Sequence, residues 1–232
     1  METFKMVAKT FFGFEEIMQK ELFQLGAQNV VKGTRSVSFQ GDKGFMYKAN
    51  LALRTALKIL KPIHTFKAYN EQTLYDGIQK VDWSDYLKVQ QTFVVETTLY
   101  SEQFTHSQFV AQKVKDAIVD QFKTNTGERP SIDKDFPDLR IHIHIDRDFC
   151  TLSLDTSGVS LHQRGYKTAT NIAPINEVLA AGMLILSGWD GNAHFLDPMC
   201  GSGTIVAEAA MIACNIPANI NRKKFAFERW PD

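Results

Sequence analysis

The sequence predicts an α+β chain that ends in the opening of an α/β domain, and three observations carry that reading. Near the N-terminus, strand-like and helix-like patterns run in the order β-α-β-β-α. A second mixed set follows, centred on a long amphipathic helix. A glycine loop then separates a short apolar run from an Ala-rich helix, the pattern that opens a parallel α/β domain.

With 44% hydrophobic and 22% charged residues the chain can bury a core, which excludes disordered, collagen-like and coiled-coil classes. It has no run of about 18 uncharged apolar residues, and its first residues lack a signal-peptide pattern. A soluble, cytoplasmic protein is expected, with no membrane partner. Cys150, Cys200 and Cys214 form no CxxC pair, so neither a disulfide scaffold nor a zinc site is indicated. Lys and Arg number 26 against 26 Asp and Glu, so a nucleic acid would need a local patch.

Phe4 to Lys9 reads as a strand. Phe14, Ile17, Met18, Leu22 and Leu25 share a helical face that Gly26 closes. Val30 and Val31, a Gly33-Thr34-Arg35 turn and the alternating Val37 and Phe39 form a hairpin. Phe45, Ala49, Leu53, Ala56, Leu57 and Leu60 extend a second helix to about residue 60. This order is that of a ferredoxin-like sandwich.

Strands are expected at Ile63 to Tyr69 and Thr92 to Tyr100, with a short helix at Leu74 to Ile78 between them. A helix from Ser107 to Phe122 turns Phe109, Val110, Val114, Ala117, Ile118 and Phe122 inward. Two strands, Leu139 to Ile145 and Cys150 to Leu154, flank the Asp146-Arg147-Asp148 turn. His142 and His144 share a strand face at a spacing metals can use, but without a third ligand a solvated sheet face is the expectation and no metal is assigned. Trp83, Trp189 and Trp230 read as packing residues.

After a loop-like stretch from Ser157 to Ala173, a helix is expected at Glu177 to Leu186 and a strand at Ala193 to Leu196. That strand runs into Asp197-Pro198-Met199-Cys200-Gly201-Ser202-Gly203-Thr204 and a helix to about Cys214. Two glycines one residue apart let backbone approach a ligand, and the N–H groups of the next helix can hold an anionic group. The third glycine of a dinucleotide fingerprint and the lysine of a P-loop are both missing. A tight turn without a ligand stays open on these residues alone.

Together with Ser160 to Lys167 (SLHQRGYK), Ala173 to Ala181 (APINEVLAA) and Lys113 to Asp120 (KVKDAIVD), the Asp197 to Thr204 loop resembles the THUMP-domain RNA methyltransferases, in particular the bacterial large-subunit ribosomal RNA guanine-N2 methyltransferases. The resemblance implies a ferredoxin-like unit at 1–44, with its last helix shared to about 60, and a THUMP RNA-binding domain at 45–157. A linker at 158–172 and the start of a Rossmann-like methyltransferase domain at 173–232 follow. It implies S-adenosylmethionine as cofactor, with Asp197, Gly201, Ser202, Gly203 and Thr204 around its methionine end and Pro198, Met199 and Cys200 shaping the turn. Cys200 is expected as a small buried packing group, not a nucleophile.

Ribosomal RNA is the implied partner, and Lys113, Lys115, Arg129, Arg164, Tyr166 and Lys167 are the candidate contacts, with Tyr166 as a stacking plane. Solvated helix faces for the lysines and a structural hinge for residues 164–167 are the alternatives. The sequence has no Asn-Pro-Pro-Tyr or Asp-Pro-Pro-Tyr motif to hold a target amino group, so no catalytic residue is assigned and the 232-residue chain is expected to be a truncated, inactive form. Three other readings remain at this point: a stand-alone RNA-binding or adaptor module, an amino-adenine DNA methyltransferase and, last, an oxidoreductase with a dinucleotide.

Overall fold

The computed structural model describes residues 2–167 and 174–231. The expected linker beyond Lys167, Ala173 of the APINEVLAA motif and Asp232 lie outside these described residues. The chain folds as two units: Met1–Ile59 with Val159–Phe225, and Leu60–Gly158 with Ala226–Asp232. The first division thus falls at 59/60, where the sequence suggested 44/45.

In the first unit, β1 (Phe4–Lys9), β2 (Gln28–Lys32) and β3 (Ser36–Gly41) pair antiparallel with β3 central, Met6 opposite Phe39 and Val31 opposite Ser38. Period-2 alternation puts Met6, Ala8, Val37 and Phe39 inside. They face α1 (Glu15–Leu25), which buries Ile17, Met18 and Leu22, and α2 (Lys43–Ala52), which buries Met46 and Ala49. Gly26 ends α1 in the left-handed region at φ 97°, and Ala27 N–H donates to Leu22 O at 2.9 Å. Asp42 caps α2 by accepting from Phe45 N at 2.7 Å.

The helix expected to reach residue 60 stops at Ala52. Leu53 is extended (ψ 124°), the Arg54 and Thr55 amides donate to the Glu21 carboxylate, and Leu57 N–H donates to Lys9 O. Backbone donors claimed by distant acceptors cannot serve the i−4 ladder. The following strand, β4 (Lys58–Lys67), therefore begins five residues earlier than its β-branched pattern suggested.

The same unit holds α5 (Glu177–Leu186), capped by Asn176 accepting from Val178 and Leu179 N–H, and α6 (Thr204–Ala213). Gly182 of α5 meets the Phe14 ring so closely that a Cβ there would overlap it. The strand expected at 193–196 is not formed. These residues are irregular, and Leu196 is 85% exposed. A strand needs a hydrogen-bonding neighbour, and none of the described residues pairs with this run.

The second unit orders its strands β4-β8-β7-β5-β6, with β5 at Thr92–Tyr100, β6 at Ser131–Ile132, β7 at Leu139–Asp146 and β8 at Phe149–Asp155. β4, β8 and β7 are antiparallel neighbours, whereas β5 runs parallel to β7. A parallel pair needs a crossover, and α4 (Ser107–Thr126) supplies it. α3 (Glu71–Gln79) and α4 bury Leu74, Ile78, Val110, Val114, Ala117, Ile118 and Phe122 against Phe93, Ile141, Ile143, Ile145 and Leu152. Trp83 is fully buried and its indole donates to Ile78 O at 3.1 Å. Phe109, expected inside, is 40% exposed in the first turn of α4, beyond the packed stretch. His142 corrects another expectation. It is buried and lies 3.1 Å from Thr98 Oγ1, because β5 brings a hydroxyl beside it.

Candidate functional site

The loop from Asp197 to Thr204 has the backbone of a ligand cradle. Gly201 (φ 55°) and Gly203 (φ 74°) are left-handed, a conformation in which a Cβ is strained. Gly203 is the N-cap of α6, and having no side chain it leaves the first amides of that helix uncapped. Apart from the adjoining residues, no atom of the described residues lies within 4 Å of where a Cβ would stand at either glycine. Asp197 Oδ1 accepts from Met199 N at 3.1 Å, while its buried Oδ2 has no partner among the described residues. Ser202 Oγ and Thr204 Oγ1 are 3.2 Å apart, with Thr204 buried.

A carboxylate oxygen without a donor among the described residues, followed at Thr204 by a helix whose first amides are uncapped, suits a ligand end carrying both an ammonium and a carboxylate. The methionine moiety of S-adenosylmethionine has that pair. Cys200 departs from expectation: it is exposed, as is Met199 at 89%, because none of the described residues packs over the turn.

Beneath the loop, α6 carries a single charge in an otherwise apolar sequence, Glu208. It is fully buried, with Arg164 Nε 3.4 Å and Tyr166 Oη 3.1 Å from its Oε1. Burial raises the Glu208 carboxyl above the usual range, against the pull of Arg164 and the Tyr166 hydroxyl. Burial, then the Glu208 charge, pushes the Tyr166 phenol up. Arg164 also donates to Leu161 O and Arg54 O, and Arg54 in turn donates to Met211 O in the last turn of α6 and to Ile216 O past its end.

One expected RNA contact, Arg164, is therefore corrected, and two others, Tyr166 and Lys167, are only partly exposed and carry protein partners. The guanidinium of Arg164 is inside, the Tyr166 hydroxyl is tied to Glu208, and Lys167 pairs with the buried Glu177 at 2.8 Å. Arg164 and Tyr166 brace α6, and Lys167 braces α5. Sequence reasoning missed Glu208, although a lone acid in the apolar run TIVAEAAMIA was a signal that a buried cation must exist.

The other candidates stay on the surface of the second unit. Lys113 lies 3.4 Å from Glu71 and Lys115 2.6 Å from Asp116, both partly exposed. Lys115 and Arg129 line one groove of about 650 Å³, joined by Lys123, which the sequence pattern did not single out, and by Asp116, Asp120 and Glu128. Among the described residues no group of three or more His, Cys, Asp or Glu could hold a metal ion, and no helix is long and apolar enough to cross a membrane.

Residues 5–60 match the RlmL ferredoxin-like domain, 68–155 the THUMP domain and 164–230 the RMKL-like methyltransferase domain. A Synechocystis sp. protein, named by inference as an RNA methyltransferase, is 41% identical over 220 residues, 95% of this chain and 57% of the relative. The structure of an inferred N6-adenine-specific DNA methylase from Listeria monocytogenes superposes with a TM-score of 0.86 at 33% identity, over 99% of this chain and 60% of that one. SMU.472, described as a methyltransferase by inference and solved with SAH, gives a TM-score of 0.85 at 33% identity, over 100% and 61%. The chain thus spans less than two thirds of the length of each of these relatives.

Proposed function

We propose that the chain is part of a THUMP-domain methyltransferase and serves S-adenosylmethionine-dependent methylation of RNA, holding RNA through its THUMP domain and the cofactor through the Asp197 to Thr204 loop. One observation carries the cofactor assignment: Asp197 Oδ2, without a partner among the described residues, stands in a turn whose glycines are left-handed and open. When bound, S-adenosylmethionine supplies an electrophilic methyl group. Asp197 Oδ2 would accept from its ammonium, and the uncapped amides of α6 would receive its carboxylate. The Arg164–Glu208 pair would hold α6, and with it those amides, in place.

The finer reading, a guanine 2-amino group in large-subunit ribosomal RNA modified in the cytoplasm, is supported by the motif resemblance and by the match of residues 5–60 to the RlmL ferredoxin-like domain. A THUMP match favours RNA over the DNA substrate named for the Listeria relative. Methyl transfer by the 232-residue chain alone is not expected, since its sequence has no Asn-Pro-Pro-Tyr or Asp-Pro-Pro-Tyr motif to hold the base.

Calorimetric titration of S-adenosylhomocysteine into the purified chain tests the cofactor loop. Saturable binding that Asp197→Ala and Gly203→Ala both weaken is expected. Equal affinities in all three proteins would reduce the loop to a turn.

A further inference from the structure

One end of the second unit's sheet carries a row of four register partners across four strands: Lys67 on β4 opposite Phe149 on β8, Phe149 opposite Asp146 on β7, and Asp146 opposite Tyr100 on β5. Their strand neighbours Ile145 and Cys150 point into the core against α3 and α4, so this row emerges on the other face of the sheet. Phe149 is 52% and Tyr100 59% exposed, and Lys67 is exposed as well.

The arrangement has features that a random exposed apolar pair lacks. The Lys67 ammonium sits 5.4 Å from the Phe149 ring centroid and 6.0 Å from that of Tyr69, itself half exposed. Tyr100 is braced edge-on by His144 at 5.8 Å. Beside Tyr100 lies a hollow of about 560 Å³ lined by Arg147, Asp148 and residues 101–103. Strands about 4.8 Å apart place the two rings about 10 Å apart, a spacing that an extended single strand covers in two nucleotides. Flat rings with cations at their margins on an open sheet face are what unstacked bases and their phosphates need.

We propose that this edge is a stacking platform for unpaired ribonucleotides, with Phe149 and Tyr100 as the ring surfaces and Lys67 and Arg147 meeting the phosphates. The proposal rests on the RNA reading above and places the contact away from the α4 groove. Asp146 and Asp148 offset the two cations, so binding here draws on stacking more than on charge and depends weakly on salt.

The test is fluorescence anisotropy of the full 232-residue chain with a fluorescein-labelled 12-nucleotide single-stranded RNA of mixed sequence and with its 12-base-pair duplex. The single strand should bind more tightly than the duplex. Phe149→Ala and Tyr100→Ala should each weaken it about tenfold with unchanged urea midpoints, and Phe149→Trp should retain it. If the wild type binds RNA and both alanine variants bind equally well, or if only Lys115→Ala and Arg129→Ala weaken it, the platform is wrong and the RNA reading stands. If the wild type binds neither RNA, the RNA reading falls and the platform with it.

Discussion

Arg164 Nε and Glu208 Oε1 face each other at 3.4 Å with both side chains wholly out of water. The pair joins two places 44 positions apart: the segment after Gly158 and the helix that follows the Asp197 to Thr204 loop. Two charges withdrawn from water are tolerated only while each has the other, and Arg164 adds the Leu161 and Arg54 carbonyls as acceptors.

Removing one partner should therefore cost more than removing both. Arg164→Ala should lower unfolding free energy by about 3–5 kcal/mol, and the double variant Arg164→Met with Glu208→Leu should lose much less. Urea denaturation of the three proteins decides it. A double variant no more stable than the single one would show that the carbonyl contacts, not the ion pair, hold α6.

Gly203→Ala separates conformation from binding. With none of the described residues beyond its chain neighbours within 4 Å, the added methyl meets chiefly the left-handed backbone, so the stability cost should be about 1–2 kcal/mol. Affinity for S-adenosylhomocysteine should fall more steeply than that cost explains. Parallel denaturation and calorimetry would expose a loss of affinity that merely tracks stability.

Two glycines inside helices should reverse the usual helix rule. Alanine in a helix interior ordinarily stabilises relative to glycine, yet a Cβ at Gly182 would overlap the Phe14 ring and one at Gly77 the Phe66 ring. Overpacking of this kind costs about 1–3 kcal/mol, so Gly182→Ala and Gly77→Ala should both lower the thermal midpoint. A raised midpoint in either would mean that the ring yields.

The thiols should divide two to one. Cys200 and Cys214 are exposed, whereas Cys150 is buried on β8 and its thiol is pushed up to about 12 by burial. Titration of the native protein with a disulfide reagent at pH 8 should consume two equivalents rapidly and the third only after denaturation. Rapid loss of all three would place Cys150 at an opening edge.

Local signals determined much of this protein. Helix α5 falls at Glu177–Leu186 as its apolar run suggests, α1 stops at Gly26 because a left-handed residue ends a helix cheaply there, and β5 follows its β-branched run over Thr92–Tyr100. The order of motifs likewise agrees with the order of the three domain matches, ferredoxin-like, THUMP and methyltransferase. Three things depended on partners far away in the chain. Glu21 takes the Arg54 and Thr55 amides and stops α2 at Ala52, a run of apolar residues notwithstanding. Ala193 to Leu196 stays irregular because a strand exists only by pairing. Arg164 reads as a phosphate ligand in the sequence and is a buried strut in the fold, since whether a cation meets solvent or a carboxylate is set by what packs against it, and Glu208 does.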